Sequence, residues 1–225
     1  MRITFALIRI LVAAAIVAAI VGQLVTSYNF WLANGLTVWL SIANFFSFFT
    51  IESNVGSVVV LLIGAFFLVS RRGQDPRWFN LLRFCVVTYM GVTGIVYNLL
   101  LRNIELPQGA TLGWSNEILH VWAPIYLVLD WVLAPGRSPL NWKDLRVVVI
   151  FPILWAVYTL IRGPFTPGEA LGQSYWYPYP FLNPNLSPNG YLSVAFYVIL
   201  IAVFICTVAA GAIWVSKRKA ILKAD

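Results

Sequence analysis

Long apolar runs alternate with short polar connections along the whole chain. A helix needs about 20 apolar residues to cross the hydrocarbon of a bilayer. Six stretches approach or exceed that length: Phe5–Gln23, Asn44–Ser70, Phe79–Leu101, Trp114–Leu133, Leu145–Ile161 and Tyr191–Val215. The first has a basic start and an Ala-rich centre, the outline of a signal peptide. No small-x-small cleavage site follows it, so it is read as a span. The fifth is short and carries Pro152, which leaves its cytoplasmic end poorly defined. The pattern predicts an all-α polytopic membrane protein. Its six transmembrane helices form one bundle over residues 1–225, with no repeat, linker or second domain.

Composition supports this. The chain is 60% hydrophobic and only 10% charged, with mean hydropathy +0.83, so polar groups are too few to cover a water-facing surface. The net charge of +7 could suggest a nucleic-acid partner, but the basic residues sit in short clusters between apolar runs. Arg2 and Arg9 open the first run. Arg71, Arg72, Arg77 and Arg83 surround the second connection, and Arg137, Lys143 and Arg146 the fourth. Lys217, Arg218, Lys219 and Lys223 form the tail, while the other connections hold only Arg102 and Arg162. With six spans every cluster falls on one side, and the positive-inside rule makes that side, with both termini, cytoplasmic. An odd number of spans breaks the alternation. The expected location is the inner, or otherwise cytoplasm-facing, membrane, with no nucleic acid bound.

The outer connections differ in kind. Leu24–Ala43 contains Tyr28, Phe30, Trp31 and Trp39, and the last outer loop reads Tyr175-Trp176-Tyr177-Pro178-Tyr179-Pro180-Phe181. Such loops suit an interfacial aromatic belt or a lid over a lipid-facing cavity. Cys85 and Cys206 lie inside apolar runs and read as small hydrophobes. His120 is the single histidine, which excludes a multi-histidine metal site within one chain. No metal or cofactor is called for.

Polar groups inside spans are costly, which makes each a candidate functional residue. In the second run Thr50, Ser53, Asn54 and Ser57 share one helical face, while Glu52 lies about 200° round from Thr50. Small polar residues also serve close helix packing. In the fourth run Asn116, Glu117, His120 and Pro124 stack at three- and four-residue steps, although a lone histidine is often structural. Asp130, roughly 15 Å deeper, reads as a structural ion-pair or helix-end residue near Arg137 and Arg146. Tyr97 and Asn98 precede Arg102 at the end of the third run, and Tyr158 precedes Arg162 at the end of the fifth. These are snorkelling arginines with interfacial tyrosines, or a positive rim for an anionic head group or carboxylate. Thr50 lies six residues in from Asn44 and His120 six in from Trp114, so both are expected roughly 9 Å below the outer boundary. A hydroxyl and an imidazole at one depth are the minimum for base-assisted nucleophilic attack.

The segments Phe48-Phe49-Thr50-Ile51-Glu52-Ser53-Asn54, Leu119-His120…Pro124…Leu129-Asp130-Trp131, Tyr158-Thr159-Leu160-Ile161-Arg162-Gly163 and Tyr177-Pro178-Tyr179-Pro180-Phe181-Leu182 resemble motifs of a six-helix bacterial membrane family. That family is similar to the animal androgen-induced and androgen-dependent TFPI-regulating proteins. The resemblance covers nearly the whole chain. It implies an intramembrane threonine hydrolase cleaving esters of hydroxy fatty acids with fatty acids, with Thr50 as nucleophile and His120 as base. Asn54, Asn98 and Asn116 are then candidate oxyanion donors and Glu117 a candidate to orient the ring. Tyr97, Arg102, Tyr158 and Arg162 are candidates for substrate binding, and the partner is a membrane lipid ester. Two other classes compete. A small-solute carrier would need repeats or paired broken helices, which the sequence lacks. A lipid-binding protein without turnover needs only the polar stripes.

Overall fold

The computed structural model describes residues 1–102, 104 and 110–218. Among these, every regular element is helical. α1 runs Arg2–Ala33, α2 Val38–Phe46, α3 Phe49–Ser70 and α4 Arg77–Val96, the last continuing into a π turn at Tyr97–Leu101. α5 (Gly113–Glu117), a π turn (Ile118–Trp122) and α6 (Ala123–Leu133) form one continuous helical run. α7 spans Leu145–Arg162 and α8 Tyr191–Ser216, with short 3-10 turns between them.

Among the described residues five helices are long and apolar enough to cross a membrane: Arg2–Ala33, Phe49–Ser70, Arg77–Leu101, Trp142–Phe165 and Tyr191–Ser216. The run Gly113–Leu133 is not among them; it carries Asn116, Glu117, His120 and Asp130. Outward faces are apolar along their length. Leu7, Leu11, Val17, Val21 and Val25 on α1, and Ile150, Ile153, Leu154, Val157 and Ile161 on α7, are exposed. Continuous apolar faces of this kind suit lipid.

α1 buries Ala6, Arg9, Ala13, Ile16, Ala19, Gln23, Ser27 and Trp31. These positions recur every three to four residues and lie on one stripe. Its small residues let α1 approach α3 closely. α4 is the central helix and packs against α3, α6, α7 and α8. Gly94 on α4 faces α6, where a Cβ would come 3.0 Å from Pro124.

Three expectations change. The stretch Leu24–Ala43 is mostly helix rather than loop, because α1 continues to Ala33 and α2 starts at Val38. The second run is not one helix from Asn44. It breaks at Ser47–Phe48, where Phe48 is extended. The break is held by bonds that replace helical ones: Ser47 Oγ donates to Ala43 O (2.7 Å), Trp155 Nε1 donates to Ser47 O (3.0 Å), and Tyr158 OH lies 3.0 Å from Ser47 Oγ. Finally, Arg9 and Arg83 are not surface charges flanking spans. They are 1% and 3% exposed and bind Asp130. Lys219, Lys223 and Gly109 lie outside the described residues.

Asp130 is an ion-pair residue, but its partners are on α1 and α4. Arg9 donates from Nε and Nη2 to the two carboxylate oxygens (2.8 and 2.9 Å), and Arg83 Nη2 donates to Oδ2 (3.1 Å). Arg83 Nη1 also binds Asp75 (2.5 Å). Arg137 instead donates to the Trp131 and Val132 carbonyls at the end of α6, where a cation offsets the unpaired carbonyls.

Candidate functional site

The break before α3 sets the position of Thr50. It becomes the second residue of α3, where backbone N–H groups have no partner in their own helix and the helix dipole favours negative charge. The Thr50 N–H donates to Tyr179 OH at 3.2 Å, and Thr50 Oγ1 lies 3.2 Å from the same hydroxyl. Burial pushes the Tyr179 phenol up to about 12, so it remains a neutral hydroxyl able to donate. Below Thr50 its polar stripe is internally bonded. Ser53 Oγ donates to Thr50 O, and Ser57 Oγ to Ser53 O (3.1 and 2.8 Å). Asn54 commits its Nδ2 to Thr50 O and Leu119 O (2.9 and 3.1 Å), and its Oδ1 is buried without a partner. Glu52 is half-buried off this stripe, with Oε2 unpartnered.

His120 lies in the π turn between α5 and α6. Pro124, four residues on, has no N–H to return to the His120 carbonyl, and π turns of this kind recur at functional sites. His120 Nδ1 lies 3.0 Å from Asn116 O. A carbonyl only accepts, so Nδ1 carries the proton and Nε2 is the basic nitrogen. The ring stacks on Tyr97, with centroids 4.2 Å apart, and Asn116 Nδ2 donates to Tyr97 OH (2.5 Å).

Thr50 and His120 line one cavity of about 180 Å³. Its walls come from α3, α4, α7, α8 and the segment Tyr179–Leu182, and are apolar apart from Thr50, Thr93, Tyr97, His120, Trp155 and Tyr179. Part of the α7 and α8 wall is exposed on the apolar outer surface, at Ile153 and Ala202. Among the described residues no hydrogen bond joins Thr50 to His120; the hydroxyl faces Tyr179 instead.

The other candidates divide by location. Tyr97 lines the cavity. Tyr158 binds Ser47 and supports the break. Asn98 donates to Gly94 O (2.8 Å) and accepts from Arg102. Glu117 is bound by Arg102 Nη2 (2.7 Å), while the ring of His120 is oriented by the Asn116 carbonyl. Arg162 donates to Asn44 Oδ1 (2.6 Å), lies over Trp176, and keeps Nη1 buried and unpartnered. The two arginines are therefore committed to different helices and do not form one rim.

Sequence reading missed Tyr179 as a member of the site. The aromatic loop turns inward, with Trp176, Tyr177 and Tyr179 all buried. The available signal was the alternation of Tyr and Pro, which gives a stiff segment able to hold one phenol in place. No family model, curated protein or solved structure matches this chain.

Proposed function

We propose that the protein is an intramembrane lipid esterase, with Thr50 as nucleophile and His120 as general base. The observation that carries the reading is that Thr50 and His120, on separate helices, share an acyl-sized apolar cavity, with the imidazole held in the tautomer a base needs. The resemblance to the threonine hydrolases supports the same pair. In this reading the chain crosses the membrane six times with both termini cytoplasmic, the run Gly113–Leu133 being the fourth span, in the inner membrane if the source is bacterial. Cysteine labelling from outside should then modify Gly172→Cys and not Gly73→Cys; modification of both from one side overturns the six-span topology.

Catalysis proceeds in two balanced steps. Thr50 Oγ1 attacks the ester carbonyl while His120 takes its proton. The C–O bond to the alcohol breaks, and the alcohol leaves with that proton. Water then attacks the acyl-threonine, His120 takes the proton of the water, the acid departs, and the proton returns to Thr50. The oxyanion is held by the Thr50 N–H at the start of α3 and by the Tyr179 hydroxyl. Both meet at Thr50 itself, whereas the amide nitrogens of Asn54 and Asn98 donate to backbone carbonyls and that of Asn116 donates to Tyr97 OH. The substrate is a fatty-acid ester whose acyl chain enters between α7 and α8.

The test is hydrolysis of fatty-acid esters of hydroxy fatty acids, with fluorophosphonate labelling, in detergent. Thr50→Ala and His120→Ala should each reduce turnover to background without unfolding the protein. The double variant should be little worse than either single one, because residues acting as a unit are not additive. Thr50→Ser should keep measurable activity. A Thr50→Ala protein with wild-type turnover would overturn the reading. The engagement of the Thr50 hydroxyl by Tyr179 rather than His120 would then favour a lipid-binding protein without turnover.

A further inference from the structure

Thr50 and His120 border two cavities rather than one. Besides the apolar cavity, they line a second chamber of about 40 Å³ on the side of α1 and α5. The two linings have only Thr50 and His120 in common. The second chamber is also different in kind, since Gln23, Ser115 and Asn116 contribute to its wall. Phe45 and Phe48 close it from the α2 side, and both are buried.

We propose that this chamber binds the hydrolytic water and delivers it to the acyl-threonine from the side opposite the acyl chain. The proposal rests on the esterase reading above. One water needs about 10–15 Å³ of such volume, so the chamber has room for two or three, and a buried water needs two to four polar partners. Those partners are present. Ser115 Oγ donates to Ala19 O (2.7 Å) and keeps its lone pairs. The Asn116 carboxamide oxygen, the Thr50 hydroxyl and the imidazole complete the set. Gln23 frames the chamber. Its amide nitrogen is committed to Ser27 Oγ and Ala110 O (3.0 and 2.7 Å), and its oxygen accepts from Leu112 N (2.8 Å). The larger cavity is a poor source of water, because apolar cavities stay dry and an acyl chain would fill it.

The arrangement separates the two reactants of deacylation. The acyl chain occupies one side of the Thr50–His120 wall and water the other, so His120 serves both half-reactions without the product leaving first. In deacylation a water O–C bond forms, the water proton passes to His120, the Thr50 Oγ1–C bond breaks and Oγ1 takes the proton back.

The experiment uses the full chain in detergent with a p-nitrophenyl ester of a medium-chain fatty acid. Leu119→Phe fills the chamber, and Ser115→Ala removes a polar partner of the water while leaving every bond of Thr50 and His120 in place. Each should give a nitrophenol burst of wild-type amplitude. The steady rate should then fall at least tenfold, and mass spectrometry should find the acyl group on the Thr50 peptide. Wild-type steady turnover in either folded variant, or equal loss of burst and steady rates, overturns the proposal. Failure of the esterase reading looks different, because Thr50→Ala would then turn over normally and carry no acyl group.

Discussion

The bundle holds two buried polar groups of side chains built on opposite principles. One consists of Arg9, Arg83, Asp75 and Asp130. Equal numbers of opposite charges meet there at 2.5–3.1 Å, and glycines let the neighbouring backbone close over them. A Cβ on Gly64 would lie 2.6 Å from Arg9 Nη1, and one on Gly136 2.7 Å from Asp75 Oδ1. Apart from Arg9 Nη1, the group satisfies itself. The other consists of Thr50, Asn54, His120 and Tyr179. It has no ion pair, it leaves Asn54 Oδ1 unpartnered, and it borders two cavities. In apolar surroundings an unpaired charge is prohibitive, so charges used for structure come fully paired. On the proposed esterase reading the second group is used for chemistry and must keep a lone pair or a proton free, which fits its neutral residues and the space beside them.

That contrast can be broken experimentally, with effects on stability of decreasing size. Asp130→Ala strands the buried Arg9 guanidinium and leaves Arg83 with Asp75 alone, and should cost about 3–5 kcal/mol, read as a lower midpoint of thermal unfolding in detergent. Gly64→Ala overpacks the same group and should cost about 1–3 kcal/mol while leaving the KM of the folded protein unchanged. Tyr179→Phe should do the reverse. It removes one oxyanion donor at Thr50, so kcat should fall about a hundredfold to a thousandfold, with the unfolding free energy changed by no more than about 1 kcal/mol. Equal losses of stability and rate in this variant would show that the two groups are not separate in role. The smallest effect is expected for Arg102→Gln. Its pair with Glu117 is 44% and 40% exposed, and such pairs contribute about 0–1 kcal/mol. A larger loss in activity would reinstate Arg102 as a substrate contact.

Much of the helix content was legible because apolar run length and helix length are set by the same local chemistry. The runs at Phe79–Leu101 and Tyr191–Val215 correspond closely to helical segments Arg77–Leu101 and Tyr191–Ser216. Thr50 and His120 were legible as candidates because polar groups within apolar runs are conspicuous in a sequence. Counting residues to equal depth, however, assumed an unbroken helix from Asn44. Thr50 in fact lies in the first turn of α3, and this changes its chemistry by giving it an N–H outside the helix's own ladder, taken up by Tyr179, and the positive end of the helix dipole.

By itself the sequence determined that the chain is helical and apolar on its outer faces, and that polar residues in the middle of its apolar runs, Thr50, Asn54 and His120 among them, are buried. Tertiary structure alone decided the partners. Trp155 and Tyr158 fix the break at Ser47 from more than 100 residues away, and Tyr179 reaches Thr50 from a loop 129 residues on. Asp130 is paired by Arg9 rather than by the nearer Arg137 or Arg146. The physical reason is that periodicity describes one helix at a time, whereas a buried donor, charge or cavity wall is completed by whichever distant segment packs against it.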